Sequence, residues 1–481
     1  MELCPPSFNL AEHVLRRSME LSEKPALVLL GGSETEEWSY ARLRQAVLGV
    51  ASGLLAQGLV PGDRVMLRLG NGVSFPLAYL GAIAVGIVPI PTSSQLTTAE
   101  LDRVWPLVAP KAVIAGPGIA QPSASALTIA EADLLAMTEL PAAPFDRGDP
   151  NRLSYIMFTS GTSGQPKAVA HAHRAIWARQ MMYDGWYGLR ETDRLLHAGA
   201  LNWTFTLGTG LLDPWSVGAT ALIPADGTPL ERLPELLRAH DATLFAAAPG
   251  VLRKLLKEPA DLNLPTLRHT LTAGEHLQPD LREAWQNATG RGLYDAFGMT
   301  ECSTFLSASP EGAPSLTAQS GRRVGLTAEG TIQIHKDEQG LMLGYVEGDR
   351  FELPLTEDHF FTSDRASLRQ DGSYQYEGRM GDLLNPGGYR VSPLEVEAAM
   401  LGCPGVDEIA VTELSSGTST FLAACYSGPA PLAPARLSRY AEENLARYKQ
   451  PRVYRHVASL PRGTNGKLLR KALPALFEDL S

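Results

Sequence analysis

Residues 38–116 switch repeatedly between a helical and an extended hydrophobic pattern, and this alternation limits the fold more than any other stretch of the chain. Leu43, Val47, Val50 and Leu54 share one helical face, which ends at Gly58. Arg64–Leu69 then reads as a strand, 73–86 as a buried helix, and Val88–Ile90 and Ala112–Ala115 as short strands. Between the last two, Thr97 and Glu100 have the spacing of a helix capping box. This rhythm predicts an α/β fold with parallel strands.

The pattern continues through strands at Ser154–Thr159, Thr220–Ile223 and Thr243–Ala246, with helices after His171 and from Leu230 to His240. Segment 301–379 changes to many short β-like runs and turns. From about 382 the tail reads as a small α+β unit. Ser392, Pro393 and Glu395 supply an N-cap, a first-turn proline and an acidic third position. Val406–Val411, Phe421–Tyr426 and Arg452–Val457 read as strands around a helix at 435–446. The expected architecture is a large N-terminal body, residues 1–380, of α/β subdomains plus a β-rich subdomain, followed by a small mobile α+β lid, 381–481.

Composition narrows the function classes. Lys+Arg 42 against Asp+Glu 52 leaves −10, which argues against a general nucleic-acid surface, so any polyanion site must be local. Cys4, Cys302, Cys403 and Cys425 have no metal-ligand spacing and read as reduced thiols. The first ten residues lack the pattern of a secretory signal, and Leu77–Val88 is too short for a bilayer, which takes about 20 residues. A cytoplasmic protein without a membrane span is expected.

The chemistry concentrates in one loop. The apolar run Tyr155–Phe158 leads into Thr159, Ser160, Gly161, Thr162, Ser163, Gly164, Gln165, Pro166 and Lys167, read here as a loop between a strand and a helix. Glycines let backbone N–H groups approach phosphate oxygens, while hydroxyls and the ammonium add donors and charge. The Walker pattern fails, because Pro166 precedes Lys167 and Ala168 follows it. A flexible Ser/Gly surface turn is the competing reading.

With this loop the chain resembles the adenylate-forming superfamily of acyl-CoA synthetases, adenylation domains and luciferases. Further stretches resemble that family in its order: Thr272–Glu275, Asp295–Glu301, Phe361–Asp364, Gly378–Arg379 through Gly387, Gly388, Tyr389 and Arg390, and Pro461–Lys467. The run Trp38–Leu101 is also similar, and the likeness spans almost the whole chain. It implies an AMP-forming carboxylic acid:coenzyme A ligase: a carboxylate attacks the α-phosphate of ATP, pyrophosphate leaves, and a thiol then displaces AMP. Such transfers need mainly positioning and charge neutralisation. ATP, Mg²⁺ and coenzyme A are the implied cofactor and co-substrates, and the small-molecule acid is the remaining partner.

The resemblance also carries residue roles. Thr159, Ser160, Gly161, Thr162, Ser163, Gly164 and Lys167 would cradle the β- and γ-phosphates. Glu301 would hold Mg²⁺, since a hard cation takes carboxylate oxygen, and Thr300 would donate to the α-phosphate. Gly274, Glu275, Asp295, Ala296 and Phe297 would frame the adenine, Asp364 would accept from the ribose hydroxyls, and Arg379 would assist. Lys467 would bridge the carboxylate and α-phosphate during adenylation; a solvated basic turn is its plain alternative. Gly387, Gly388 and Tyr389 would line the coenzyme A passage, or form an ordinary tight turn.

Two departures matter. Gly381 stands where the family's hinge usually carries Asp or Lys, which widens the accessible backbone range. Gly298 stands where acetyl-specific members place Trp, so a longer or aromatic acid should fit. Trp203, Phe205, Leu207, Ala273 and Met299 are the other candidate acyl-pocket residues, with ordinary core packing as the alternative. No Asp lies between Leu195 and Leu212 to pair with a substrate ammonium, so a free amino acid is disfavoured. His197 has no evident partner in sequence and reads as structural or substrate-lining. The resemblance within this family is nearest to benzoate- and medium-chain acyl-CoA ligases. Loading of a carrier protein's phosphopantetheine, or a nucleotide-binding relative without turnover, are the alternatives.

Overall fold

The computed structural model describes residues 2–31, 35–124, 126–159, 166–257, 261–275, 277–312, 314–379, 384, 386, 391–416, 419–445, 447–463 and 466–480. The chain forms two compact units, Met1–Arg323 with His335–Phe360, and Val324–Ile334 with Phe361–Ser481.

In the first unit the alternating segment builds a parallel sheet. Arg64–Arg68 lies between Val88–Pro91 and Ala112–Ala115, with Leu127–Ala130 at one edge. Every residue of the helix Ser74–Ala84 is buried, as its apolar composition all round requires. The capping box of Thr97 and Glu100 is formed at the start of Thr98–Val108.

A nine-stranded sheet runs Thr317–Ala318, Ser303–Ser307, Gly292–Met299, His269–Ala273, Leu244–Ala246, Arg194–His197, Thr220–Pro224, Pro25–Leu30, Glu36–Ser39. Its inner strands, from Gly292–Met299 to Pro25–Leu30, are parallel. Antiparallel strands flank them. The C-terminal ends of such parallel strands are where open α/β sheets place ligands.

The third sheet corrects one expectation. The Gly/Ser-rich loop does not lead from a strand into a helix. It joins Leu153–Thr159 to Lys167–Ala172, an antiparallel pair with Thr159 opposite Lys167 and Met157 opposite Val169. Apart from His171, the residues after Lys167 in this second strand are small or β-branched, and all are buried, so they carry little periodicity to reveal a strand. Helix begins only at Ala175–Arg179. Gly344–Glu347 and Arg350–Glu352 complete this sheet.

The second unit is described by itself. Val324–Leu326, Thr331–His335, His359–Leu368 and Tyr374–Arg379 form a four-stranded sheet, most of whose residues belong to this unit. Beyond it, Glu408–Ser416 pairs antiparallel with Ser419–Ser427, which pairs parallel with Val453–His456. The helices Pro393–Leu401 and Pro434–Asn444 contribute Val396, Met400 and Leu437 to a core shared with Val411 and Leu422. Ser392 occupies the N-cap position, but its hydroxyl donates to the Glu377 carbonyl at 2.8 Å instead of capping the helix. Among the described residues no helix is long and apolar enough to cross a membrane.

Candidate active site

The phosphate-loop hairpin delivers its lysine to a tyrosine. Lys167 Nζ sits 4.3 Å from the centre of the Tyr345 ring. The Tyr345 hydroxyl donates to Glu301 Oε1 at 2.9 Å. Glu301 is 8% exposed, and its backbone carbonyl accepts from Met342 N–H at 2.7 Å. Among the described residues no cation forms an ion pair with this carboxylate, so its charge is oriented but not balanced. Such a carboxylate fits a divalent cation. A single carboxylate suits Mg²⁺, an ion that takes one or two carboxylates and otherwise substrate phosphates. Ser160, Gly161, Thr162, Ser163 and Gly164 lie outside the described residues.

Thr300 precedes Glu301, and its backbone lies against His171. His171 stacks on Tyr155 with ring centres 4.7 Å apart. Burial pushes the His171 pKa down to about 3, so the ring is a neutral support. The two motif strands behind this turn are neighbours, with Thr272 opposite Asp295 and Ala273 opposite Ala296. Gly274 has φ +94°, and a side chain there would meet the Trp203 ring at 2.6 Å, so only glycine fits. Glu275 pairs with Arg253 at 2.9 Å and Asp295 with Arg282 at 2.6 Å. Both carboxylates are thus engaged by arginines. Phe297 meets Phe305 edge-on at 5.5 Å.

The candidate acyl residues separate. Trp203 and Phe205 meet edge-on at 5.1 Å and pack with Ala273 and Ala296 in one cluster. Leu207 turns instead into the core containing Leu211 and Trp215, the plain alternative for it. Met299 is half-buried opposite Ser303. Gly298 has a tighter reason to be glycine than an open wall: a side chain there would run into the Ser303 carbonyl and come within 2.6 Å of Thr304 Cα. The strand pair carries a bulge at Phe297/Gly298, and Ser303 sits at φ +58°. Ser303 is held by Arg179, itself paired with the fully buried Asp213 at 2.6 Å. His197 is fully buried beside Phe205, its pKa pushed down to about 3 by burial, with no hydrogen bond among the described residues. Among the described residues it has no acid–base partner.

In the second unit Asp364 lies opposite Arg379 across a strand pair. Asp364 Oδ1 accepts from Tyr376 at 2.7 Å and from Arg379 at 3.2 Å. Its Oδ2 is buried and has no hydrogen bond among the described residues, an acceptor available to a hydroxyl. Lys467 is exposed on a turn closed by the Arg462–Leu468 bridge, whose Gly463 N–H donates to the Lys467 carbonyl at 2.8 Å. Arg462 ties that turn to Glu408 at 3.2 Å. Gly381, Gly387, Gly388 and Tyr389 lie outside the described residues.

Two residues that orient these carboxylates, Tyr345 and Tyr376, escaped the reading of the sequence. Tyr345 stands in a short strand without a motif and Tyr376 just ahead of Gly378 and Arg379, and only the fold brings each hydroxyl to its carboxylate.

The AMP-binding enzyme family matches residues 15–345, and its C-terminal domain matches 395–467. The chain belongs to the AMP-binding enzymes. A 3-hydroxybenzoate–CoA ligase of Aromatoleum sp. (strain CIB) is 27% identical, covering 98% of this chain and 97% of the relative. A human mitochondrial acyl-coenzyme A synthetase is 28% identical, covering 98% and 91%. The crystal structure of a benzoate CoA ligase from Burkholderia xenovorans superposes with a TM-score of 0.86 at 25% identity, covering 97% of this chain and 100% of that one.

Proposed function

We propose that this chain is an AMP-forming ligase that joins an aromatic or medium-chain carboxylic acid, not acetate, to coenzyme A. The observation that carries this reading is the convergence of Lys167 and Glu301 on Tyr345: a cation and an unbalanced carboxylate at the root of the signature loop. A metal-bound triphosphate needs that combination. The full-length likeness to ligases named for 3-hydroxybenzoate and benzoate, and to an acyl-coenzyme A synthetase, supports the substrate class.

In the first half-reaction a carboxylate oxygen bonds to the α-phosphorus as the bond to pyrophosphate breaks. Thr159, the loop and Lys167 bind the leaving pyrophosphate, and Thr300 donates to the α-phosphate. Glu301 holds Mg²⁺, which supplies neutralisation of phosphate charge when bound. The unpartnered Oδ2 of Asp364 accepts from the ribose, with Arg379 beside it. Gly274, Ala296 and Phe297 frame the base, and Trp203, Phe205 and Ala273 form the apolar seat for the acid. Lys467, on the lid of residues 381–481 that hinges at Gly381, neutralises charge as the adenylate forms. In the second half-reaction the thiol of coenzyme A loses its proton, its sulfur bonds to the acyl carbon, and AMP leaves. Gly387, Gly388 and Tyr389 line its approach. The cytoplasm is the proposed location, supported by four free cysteines.

The direct test is a panel of acids with ATP and coenzyme A, scored by AMP release. Benzoate-like and medium-chain acids should respond and acetate should not; an inactive panel would sink the reading. Replacing coenzyme A by a carrier protein should give no thioester. In Lys467→Ala, acyl-adenylate formation should be abolished while thioester formation from supplied acyl-adenylate is spared. Equal loss of both would remove Lys467 from this role.

A further inference from the structure

We propose that Tyr345 is the positioning residue that sets the phosphate-loop lysine and the metal-binding carboxylate against one triphosphate, the lysine through its ring and the carboxylate through its hydroxyl. The placement follows from the sheet. Tyr345 pairs with Val169, two residues beyond Lys167 on the same strand face. A diagonal neighbour of that kind lies within reach of an aromatic ring and a long side chain. The observed 4.3 Å between Lys167 Nζ and the ring centre is within the range of a cation–π contact. On its other side Tyr345 pairs with Glu352. Gly344 packs so closely on Glu352 that a side chain would meet that residue's backbone at 2.6 Å, which fixes the strand carrying the tyrosine. Glu301 is therefore held twice by one short segment: its carbonyl by Met342 N–H and its carboxylate by the Tyr345 hydroxyl.

The residue type is what this duty requires. A hydroxyl orients a carboxylate but leaves its charge, whereas an arginine or lysine would neutralise it and weaken its hold on a cation. A ring face attracts the ammonium without a competing carboxylate claiming it. One tyrosine thus keeps opposite charges near each other and prevents them from collapsing into a mutual ion pair. This inference rests on the reading of Glu301 as the metal-binding carboxylate.

The test is calorimetric titration of ATP, without acid substrate, at a series of Mg²⁺ concentrations, on the wild type, Glu301→Gln, Tyr345→Phe and Tyr345→Leu. Tyr345→Phe keeps the ring and loses the hydroxyl. The Mg²⁺ concentration that half-maximally tightens ATP should rise about tenfold, with Mg²⁺-free ATP affinity and melting temperature unchanged. Tyr345→Leu should in addition weaken Mg²⁺-free ATP binding about threefold, through loss of the ring. In turnover, Tyr345→Phe should raise KM for MgATP more than it lowers kcat. If Glu301→Gln shifts the Mg²⁺ profile and Tyr345→Phe does not, the tyrosine's role is overturned and that of Glu301 stands. If Glu301→Gln leaves the profile unmoved, the metal reading falls and this inference with it. A loss in Tyr345→Phe that tracks a lowered melting temperature would also overturn it, in favour of a structural role.

Discussion

Glu301 and Asp364 are both buried carboxylates held by a tyrosine hydroxyl, at 2.9 and 2.7 Å, yet among the described residues only Asp364 also has a guanidinium beside it, at 3.2 Å. The difference sorts their chemistry. Asp364 is already charge-balanced and can offer little more than a hydrogen-bond acceptor, which is what a ribose hydroxyl takes. Glu301 keeps an uncompensated charge, which costs free energy in a partly desolvated site unless a cation arrives. The two units differ in a second respect. His13, His171, His173 and His197, each with its pKa pushed down to about 3, chiefly by burial, belong to the first unit.

The histidines give the largest expected effect. A histidine whose folded pKa lies below the ordinary 6.5 binds fewer protons folded than unfolded. Its stabilisation is complete above 6.5 and lost as pH falls through 6.5 toward 3, at a slope of roughly 1.4 kcal/mol per pH unit for each. The first unit should therefore unfold at a higher pH than the second, as two transitions followed by fluorescence and hydrogen exchange. Simultaneous loss of both units would break the distinction.

The carboxylates come next. Glu301→Gln should cost adenylation about 3 kcal/mol, roughly 100-fold in kcat, recovered in part at high Mg²⁺. Asp364→Asn should cost about 2 kcal/mol, mainly in KM for ATP, with no Mg²⁺ rescue. Rescue of both by Mg²⁺ would erase the contrast drawn between them. The smallest effect belongs to Tyr376→Phe, about 1 kcal/mol in KM for ATP, because Arg379 still orients Asp364. A drop as large as that of Asp364→Asn would show that the hydroxyl, not the guanidinium, sets the carboxylate.

What could be read from the chain follows from where information is local. The strand–helix rhythm and the capping box of Thr97 and Glu100 depend on residues a few positions apart, and they stand as read. The strands and helices of the C-terminal segment were likewise legible, within a residue or two at most ends. The hairpin at Thr159–Lys167 was not, because its return strand is made largely of small residues whose period only a partner reveals. Tyr345 was invisible for a stronger reason. Its duty depends on pairing with Val169, distant in sequence, and on a carboxylate on a third segment. Leu207 and Trp203 looked alike in sequence; packing alone sends one into the core and the other toward Gly274.

Gly298 bears on which changes such a chain can accept. In this chain a bulky residue at position 298 is blocked by main chain, not by a replaceable side chain. A mutation there would be selected against for its effect on folding before any new substrate could reward it. The backbone at Ser303 would have to move first, and Arg179 with Asp213 holds it in place. Glycine at 298 is thereby made historically sticky: an evolving population, or a directed-evolution library, would need at least two coordinated changes to replace it.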